Sequence, residues 1–176
     1  MAHWEVGKIG GNGPINVLLI EDDTGFARMV HKMITEIETG PFTFERVENL
    51  EKGMERVKKG GIDVVLLDLL LPDSEGIFTF FKLRDVTEDI PVVVLSALED
   101  DETAILAVRE GAQDYLFKGI VNPAVLVRSI RHSIERKRNR DELRQTREEL
   151  EALLEKKEAE IAGLKKRLDA ALKAGK

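Results

Sequence analysis

No cysteine occurs anywhere in the 176 residues, which removes disulfides, thiol nucleophiles and thiolate metal sites in one step. Aromatic residues are sparse, with seven phenylalanines, one tryptophan and one tyrosine. No apolar run approaches the ~20 residues of a membrane span. The opening MAHWEVGKIGGNGP has neither the basic start nor the apolar stretch of a secretory leader. A cytoplasmic protein without membrane contact is the expectation. Residues 1–14 hold four glycines and one proline and read as a flexible extension.

What is present is charge, at 34% of residues, beside 43% hydrophobic residues. That suits one domain of ordinary size with an appendage rather than two full domains. The charge is unevenly spread. From Ala124 onward there are 15 lysines and arginines against 10 acids, a surplus of +5 that leaves −11 for the rest of a chain whose total is −6. An acidic body, residues 15–135, is joined to a basic tail, residues 136–176.

Within the body, INVLLI (Ile15–Ile20), VVLLDLLL (Val64–Leu71) and PVVVLS (Pro91–Ser96) are apolar strings of strand length, as expected of strands buried on both faces. FTFERV (Phe42–Val47) and DYLF (Asp114–Phe117) are more polar and suit sheet edges. Between them Phe26, Val30, Met33 and Ile37, then Leu50, Met54 and Val57, then Ile77 and Phe81, and Ile105 and Val108 recur at helical spacing. Gly40-Pro41, Gly60-Gly61 and Gly111 punctuate the returns to the sheet. Five strand–helix units in series predict an α/β domain with a five-stranded parallel sheet, doubly wound, with helices on both faces.

In such a sheet functional groups collect beyond the carboxyl ends of the strands. The first strand ends in Glu21-Asp22-Asp23 and the third in Asp68; the fourth ends in Ser96, and Lys118 follows the fifth. Crowded carboxylates call for a cation. An all-oxygen donor set that can share its cation with phosphate points to magnesium, Mg2+. Beside it Asp68 is a workable nucleophile toward phosphorus, with Lys118 and Ser96 to hold other oxygens.

Taken in order, LLIEDD, VVLLDLLLPDSEG, VVVLSA and GAQDYLFKG resemble the motifs of two-component response-regulator receiver domains (CheY-like), over about Ile15 to Glu135. The resemblance implies the flavodoxin-like receiver fold and a phosphoacceptor protein rather than an enzyme, with self-phosphorylation from small donors and self-dephosphorylation as its only catalysis. It implies that Glu21 and Asp22 are the acidic pair, Asp68 the phosphoacceptor and the Leu70 backbone carbonyl a further metal ligand. Ser96 takes the role of switch hydroxyl, Tyr115 that of switch aromatic and Lys118 that of phosphoryl-contacting amine. The implied partner is a sensor histidine kinase or phosphotransfer protein, and the implied moving surface is the face of the fourth helix, fifth strand and fifth helix. The family usually places proline after the lysine; here Gly119 stands there, and a cis bond outside proline is costly.

Plainer readings exist for each residue. A lone strand-end aspartate is most often a turn former or helix cap, but Leu69, Leu70 and Leu71 after Asp68 are no capping sequence, and the next helix is expected to start near Asp73 or Ser74. Asp23 is assigned first to capping the first helix. Ser96 alone is a polar strand stop, Lys118 alone a surface charge, and Tyr115 equally at home in packing. His3, His31 and His132 read as solvent-facing. An aspartate-based phosphatase would need a second acid two residues past the nucleophile, where Leu70 stands.

Asn122-Pro123 opens a fifth helix with no breaker before the final Gly-Lys except Gly163. Running to about residue 172, it would be about 75 Å long at 1.5 Å per residue. Leu143, Leu150, Leu154, Ile161, Leu164, Leu168 and Ala171 fit a heptad seam, with Arg147 and Lys157 at two seam positions, which predicts a coiled coil and, first, a parallel homodimer. The plain alternative is a solvated helix held by pairs such as Lys156–Glu160 and Asp169–Lys173. Nucleic-acid binding ranks below both: Arg128–Arg147 carries eight basic residues and three acids, but Asp141 and Glu142 interrupt the stripe. Two other functional readings remain open: a non-switching scaffold or adaptor whose coiled coil engages a downstream protein partner, and a fragment of a longer regulator with its output module elsewhere.

Overall fold

The three apolar strings have no polar face to offer water, and they form the inside of one parallel sheet. In this computed structural model, which describes residues 13–35, 42–87, 89–97 and 100–174, β1 (Ile15–Ile20), β3 (Val64–Asp68) and β6 (Val92–Ser96) lie between β2 (Phe42–Val47) and β7 (Asp114–Phe117). The order is β2-β1-β3-β6-β7, all parallel, so the two more polar strings do take the edges. Ile37, Gly40-Pro41 and His3 lie outside the described residues.

Alternation along each strand divides the core in two. Leu18, Ile20, Val65, Leu67, Val92 and Val94 meet Leu50 and Val57 of α2 (Leu50–Lys58), Phe80 and Leu83 of α3 (Ile77–Arg84) and Ala107 of α4 (Asp101–Arg109). Val17, Leu19, Val64, Leu66, Val93 and Leu95 meet Ala27, Val30, Met33 and Ile34 of α1 (Thr24–Thr35) and Leu126 and Ile130 of α5 (Pro123–Ala174). Helices therefore cover both faces, and the architecture is the doubly wound, flavodoxin-like α/β fold.

Three local features depart from expectation. The string Val64–Leu71 is not one strand: β3 stops at Asp68, and β4 (Leu70–Leu71) folds back on β5 (Ser74–Glu75) as a short antiparallel ladder. The third helix consequently begins at Ile77, later than Asp73 or Ser74. The Asp73 carboxylate instead reaches α2, accepting from the amides of Leu50 and Glu51 at 2.9 Å each, while Asn49 caps the next amide, of Lys52, at 2.9 Å. Finally, α4 buries Ala107 and leaves Ile105 and Val108 59% and 50% exposed. The small alanine lets the helix backbone approach the sheet, and the larger side chains point away.

Contacts divide the chain into two units, Met1–Lys137 and Arg138–Lys176. In the first, the opening turns of α5 are capped by Asn122, whose Oδ1 accepts from the Val125 amide at 3.1 Å. They are tied to β7 by Ser129 Oγ donating to Asp114 Oδ2 at 2.7 Å, and to the loops before β7 and β6 by Arg136 on the Gln113 carbonyl at 2.7 Å and Lys137 on Asp89 at 3.1 Å. The second unit is helical through Gly163. Its Leu143, Leu150, Leu154, Ile161 and Leu164 are each at least half exposed. The seam cations pair along their own helix, Arg147 with Glu151 and Lys157, rather than Lys156, with Glu160, at 2.8 Å each. The side chains of Leu168, Asp169, Ala171 and Lys173 lie outside the described residues. Among the described residues no helix is long and apolar enough to cross a membrane.

Partial burial works against the charge on Asp73, and the amides of Leu50 and Glu51 outweigh it, so its carboxyl is held below the ordinary aspartate value of 3.8. Asp73→Ala should cost about 1 kcal/mol, as loss of a helix cap does, measured by urea unfolding at neutral pH. A carboxyl that titrates lower when folded contributes in full above the unfolded value and loses that contribution as pH falls through the folded one. The gap between wild type and variant should therefore close at the acid end; a gap independent of pH would refute the assignment.

Candidate functional site

The carboxyl ends of β1, β3 and β6 and the residue after β7 bring the expected side chains to one crevice. Glu21 is fully buried; its amide donates to the Val47 carbonyl at 2.9 Å, extending the pairing of β1 with β2 by one residue. Arg46, on edge strand β2, sends its guanidinium across to the acidic pair, Nε to the Glu21 carbonyl at 2.9 Å and Nη2 to the Asp22 carbonyl at 2.6 Å. Sequence reading missed Arg46; the available signal was a lone arginine one residue from the carboxyl end of the strand paired with β1. Asp23 caps α1 as expected, its Oδ1 accepting from Gly25 at 2.6 Å and Phe26 at 3.2 Å, and these amides hold its carboxyl below the ordinary range.

Asp68 is 3% exposed at the end of the most central strand, and its Oδ1 accepts from the Leu70 amide at 3.2 Å. Leu70 thus reaches the site through its N–H. Ser96 is fully buried at the end of β6, and its carbonyl accepts from the Lys118 amide at 2.8 Å, which fixes where the lysine leaves the sheet. Gly119 has a packing reason for lacking a side chain: a Cβ there would stand 2.5 Å from Cε1 of Phe117. Among the described residues no peptide bond is cis, so the turn after Lys118 closes with a trans glycine where the family usually has proline.

From that turn Lys118 reaches back over the sheet, and its Nζ donates to Glu21 Oε2 at 2.6 Å and to Asp68 Oδ2 at 2.7 Å. The ammonium also stands 4.5 Å from the centroid of the Phe26 ring. Carboxylate oxygens of Glu21, Asp22 and Asp68 lie within 4.8 Å of one another. Tyr115 is partly buried against the core beneath α2, α3 and α4, where it lines an open groove of about 790 Å³ with Asp100, Ala104, Ile120 and Val125.

The Lys118 ammonium meets two of the three clustered carboxylates, and the Arg46 guanidinium is directed at backbone carbonyls, so negative charge stays in surplus among the side chains. Burial, first, pushes the Glu21 carboxyl above the ordinary glutamate range; the Lys118 hydrogen bond opposes this and the nearby Asp68 charge adds to it. Clustered hard oxygen donors with surplus negative charge fit a small divalent cation such as magnesium. Glu21, Asp22 and Asp68 are the side chains that would hold it.

The sequence pattern of the response regulator receiver domain matches residues 17–131. The chain is 36% identical over 102 residues, 58% of its own length and 45% of the relative's, to the probable C4-dicarboxylate response regulator DctR of Bacillus subtilis (strain 168). It is 35% identical over 103 residues, 58% of its length and 44% of the relative's, to the KDP operon transcriptional regulatory protein KdpE of Escherichia coli (strain K12). The chain spans about half the length of these curated relatives. Among solved structures, a response regulator receiver domain protein from Clostridium thermocellum superposes with a TM-score of 0.61 at 27% identity, covering 70% of this chain and 97% of that one. A CheY-like receiver domain protein from Methanospirillum hungatei gives 0.63 at 19% identity, covering 73% and 99%, a likeness of fold.

Because the Lys118 ammonium bonds to two buried acids, Lys118→Met should lower stability in chelator at neutral pH by about 3 kcal/mol, the range for breaking a buried pair. Adding Glu21→Gln should recover much of the loss. A single variant as stable as wild type in denaturant titration would show that the acids do not depend on this ammonium.

Proposed function

We propose that this chain, which belongs to the response regulator receiver domain family, accepts a phosphoryl group on Asp68 from a histidine kinase or phosphotransfer protein and signals through its last helix. The observation that carries the reading is the meeting of Glu21, Asp22, Asp68 and Lys118, side chains from three separate strand ends, in one crevice. In the transfer, a carboxylate oxygen of Asp68 bonds to phosphorus as the bond from phosphorus to the donor's nitrogen, or to the acyl oxygen of a small donor, breaks and its electron pair leaves with the donor. Magnesium, when bound, supplies charge neutralisation for the carboxylates and the incoming phosphoryl oxygens. The chain's own part is positional. Glu21, Asp22 and Asp68, joined by the Leu70 carbonyl, would hold the cation, and Arg46 fixes the backbone carrying the first two. Lys118 turns from carboxylate to phosphoryl oxygen, and the buried Ser96 hydroxyl receives another oxygen.

Movement of Ser96 toward the phosphoryl group and of Tyr115 in its groove would alter the face of α4, β7 and α5. The exposed Ile105 and Val108 and the Tyr115 groove support that face as the one that changes partners. We assign residues 15–135 to the receiver and 136–176 to a coiled coil. Exposed seam leucines at heptad spacing support a parallel homodimer, and the two seam cations would keep it weak and adjustable. Dimer or partner binding is then the output.

Incubation with acetyl phosphate and magnesium should add one phosphoryl group to the intact mass, and Asp68→Asn should prevent it; labelling of that variant would place the acceptor elsewhere. For the tail, Leu154→Lys should shift sedimentation toward monomer and Lys157→Leu toward dimer, by about tenfold or more in dissociation constant for removal of a charged seam layer. Identical sedimentation of wild type and both variants would exclude the homodimer.

A further inference from the structure

Lys118 carries three ammonium donors, and two of them are spent on Glu21 Oε2 and Asp68 Oδ2. Those are the acids assigned above to the cation. When they turn to a metal and a phosphoryl group arrives, the lysine loses the anchors that place it, although placement is what its role demands. One partner is unaffected by that change: the Phe26 ring, whose centroid lies 4.5 Å from Nζ. A ring face attracts an ammonium without competing for the metal and shields it from water on that side.

The ring is itself held. Phe26 stands in the first turn of α1, where its amide donates to the Asp23 cap at 3.2 Å, and it packs against the core between the sheet and helices α1 and α5. Gly25 allows this tight turn, since a Cβ there would lie 3.1 Å from the Asp23 Oδ1 that accepts the Phe26 amide. The segment Asp23-Thr24-Gly25-Phe26 therefore sets the ring's position through its own cap and core packing, and it touches the acids through the Asp23 amide, which donates to Glu21 Oε1 at 3.2 Å.

We infer that Phe26 is a positioning residue for phosphoryl transfer, its ring face keeping the Lys118 ammonium over Asp68 once Glu21 and Asp68 are engaged elsewhere. The inference rests on the phosphoacceptor reading of Asp68. In the full chain with acetyl phosphate and magnesium, Phe26→Leu should slow labelling of Asp68 on the order of fivefold, while Phe26→Tyr, which keeps a ring face, should stay within about twofold of wild type. In a Lys118→Met background Phe26→Leu should add no further slowing, because the effect runs through the ammonium. Equal slowing in both backgrounds, or none in either, overturns the inference while leaving Asp68 as acceptor; failure of Asp68→Asn to block labelling overturns both. A readout independent of turnover is the ring-current shift of the Lys118 Cε resonance with magnesium and beryllofluoride bound. It should persist upfield in wild type and vanish in Phe26→Leu, and its loss from wild type on loading would show that the ring releases the lysine.

Discussion

An ammonium bound at once to two buried carboxylates organises this molecule, and much of the local structure can be understood as what is needed to make that contact. Glu21 and Asp68 lie at the ends of neighbouring strands of the sheet, so their charges meet where water is scarce, and a cation or a proton must offset them. Lys118 must arrive from the far edge. It does so because its amide is held by the Ser96 carbonyl and because the next residue is small enough to turn against the Phe117 ring. On the opposite edge Arg46 grips the carbonyls of Glu21 and Asp22, so the acidic loop is braced by β2 as the lysine is braced by β6.

The arrangement is also provisional by construction. Three acids against one lysine leave unmatched negative charge, and the elevated protonation tendency of Glu21 expresses the cost of its burial. A divalent ion is of the right charge and hardness to complete the set. Rigidity lies in the strands, adjustability in one four-carbon side chain.

Legibility in the sequence followed the strength of the physical signal. Strands buried on both faces announce themselves as unbroken apolar strings, and the edges by their polarity, so which strands lie inside the sheet and where the strand-end acids sit could be read before any coordinates. Residues whose role depends on a distant partner could not. Arg46 looks like any strand-surface arginine until its neighbour across the ladder is known. Asp73 was read as lying near a helix start and instead caps the preceding helix, because the β4–β5 ladder carries it back toward α2. The stripe of Ile105 and Val108 misled for a different reason: on α4 a small residue governs close approach, so Ala107 faces the core and the bulkier side chains do not. Phe26 was recognised only as an apolar helix position, and nothing in its spacing discloses a lysine above its ring.

Glu21 and Lys118 are 97 positions apart along the chain, and Asp68 and Lys118 are 50. During synthesis, which delivers the amino-terminal strands first, the acids of β1 and β3 emerge well before the cation that reconciles them. A nascent chain halted ahead of β7 would hold Glu21 and Asp68 without the ammonium that bonds to both, and dissolved cations or protons would have to stand in. The crevice is thus electrostatically complete only once β7 has joined the sheet.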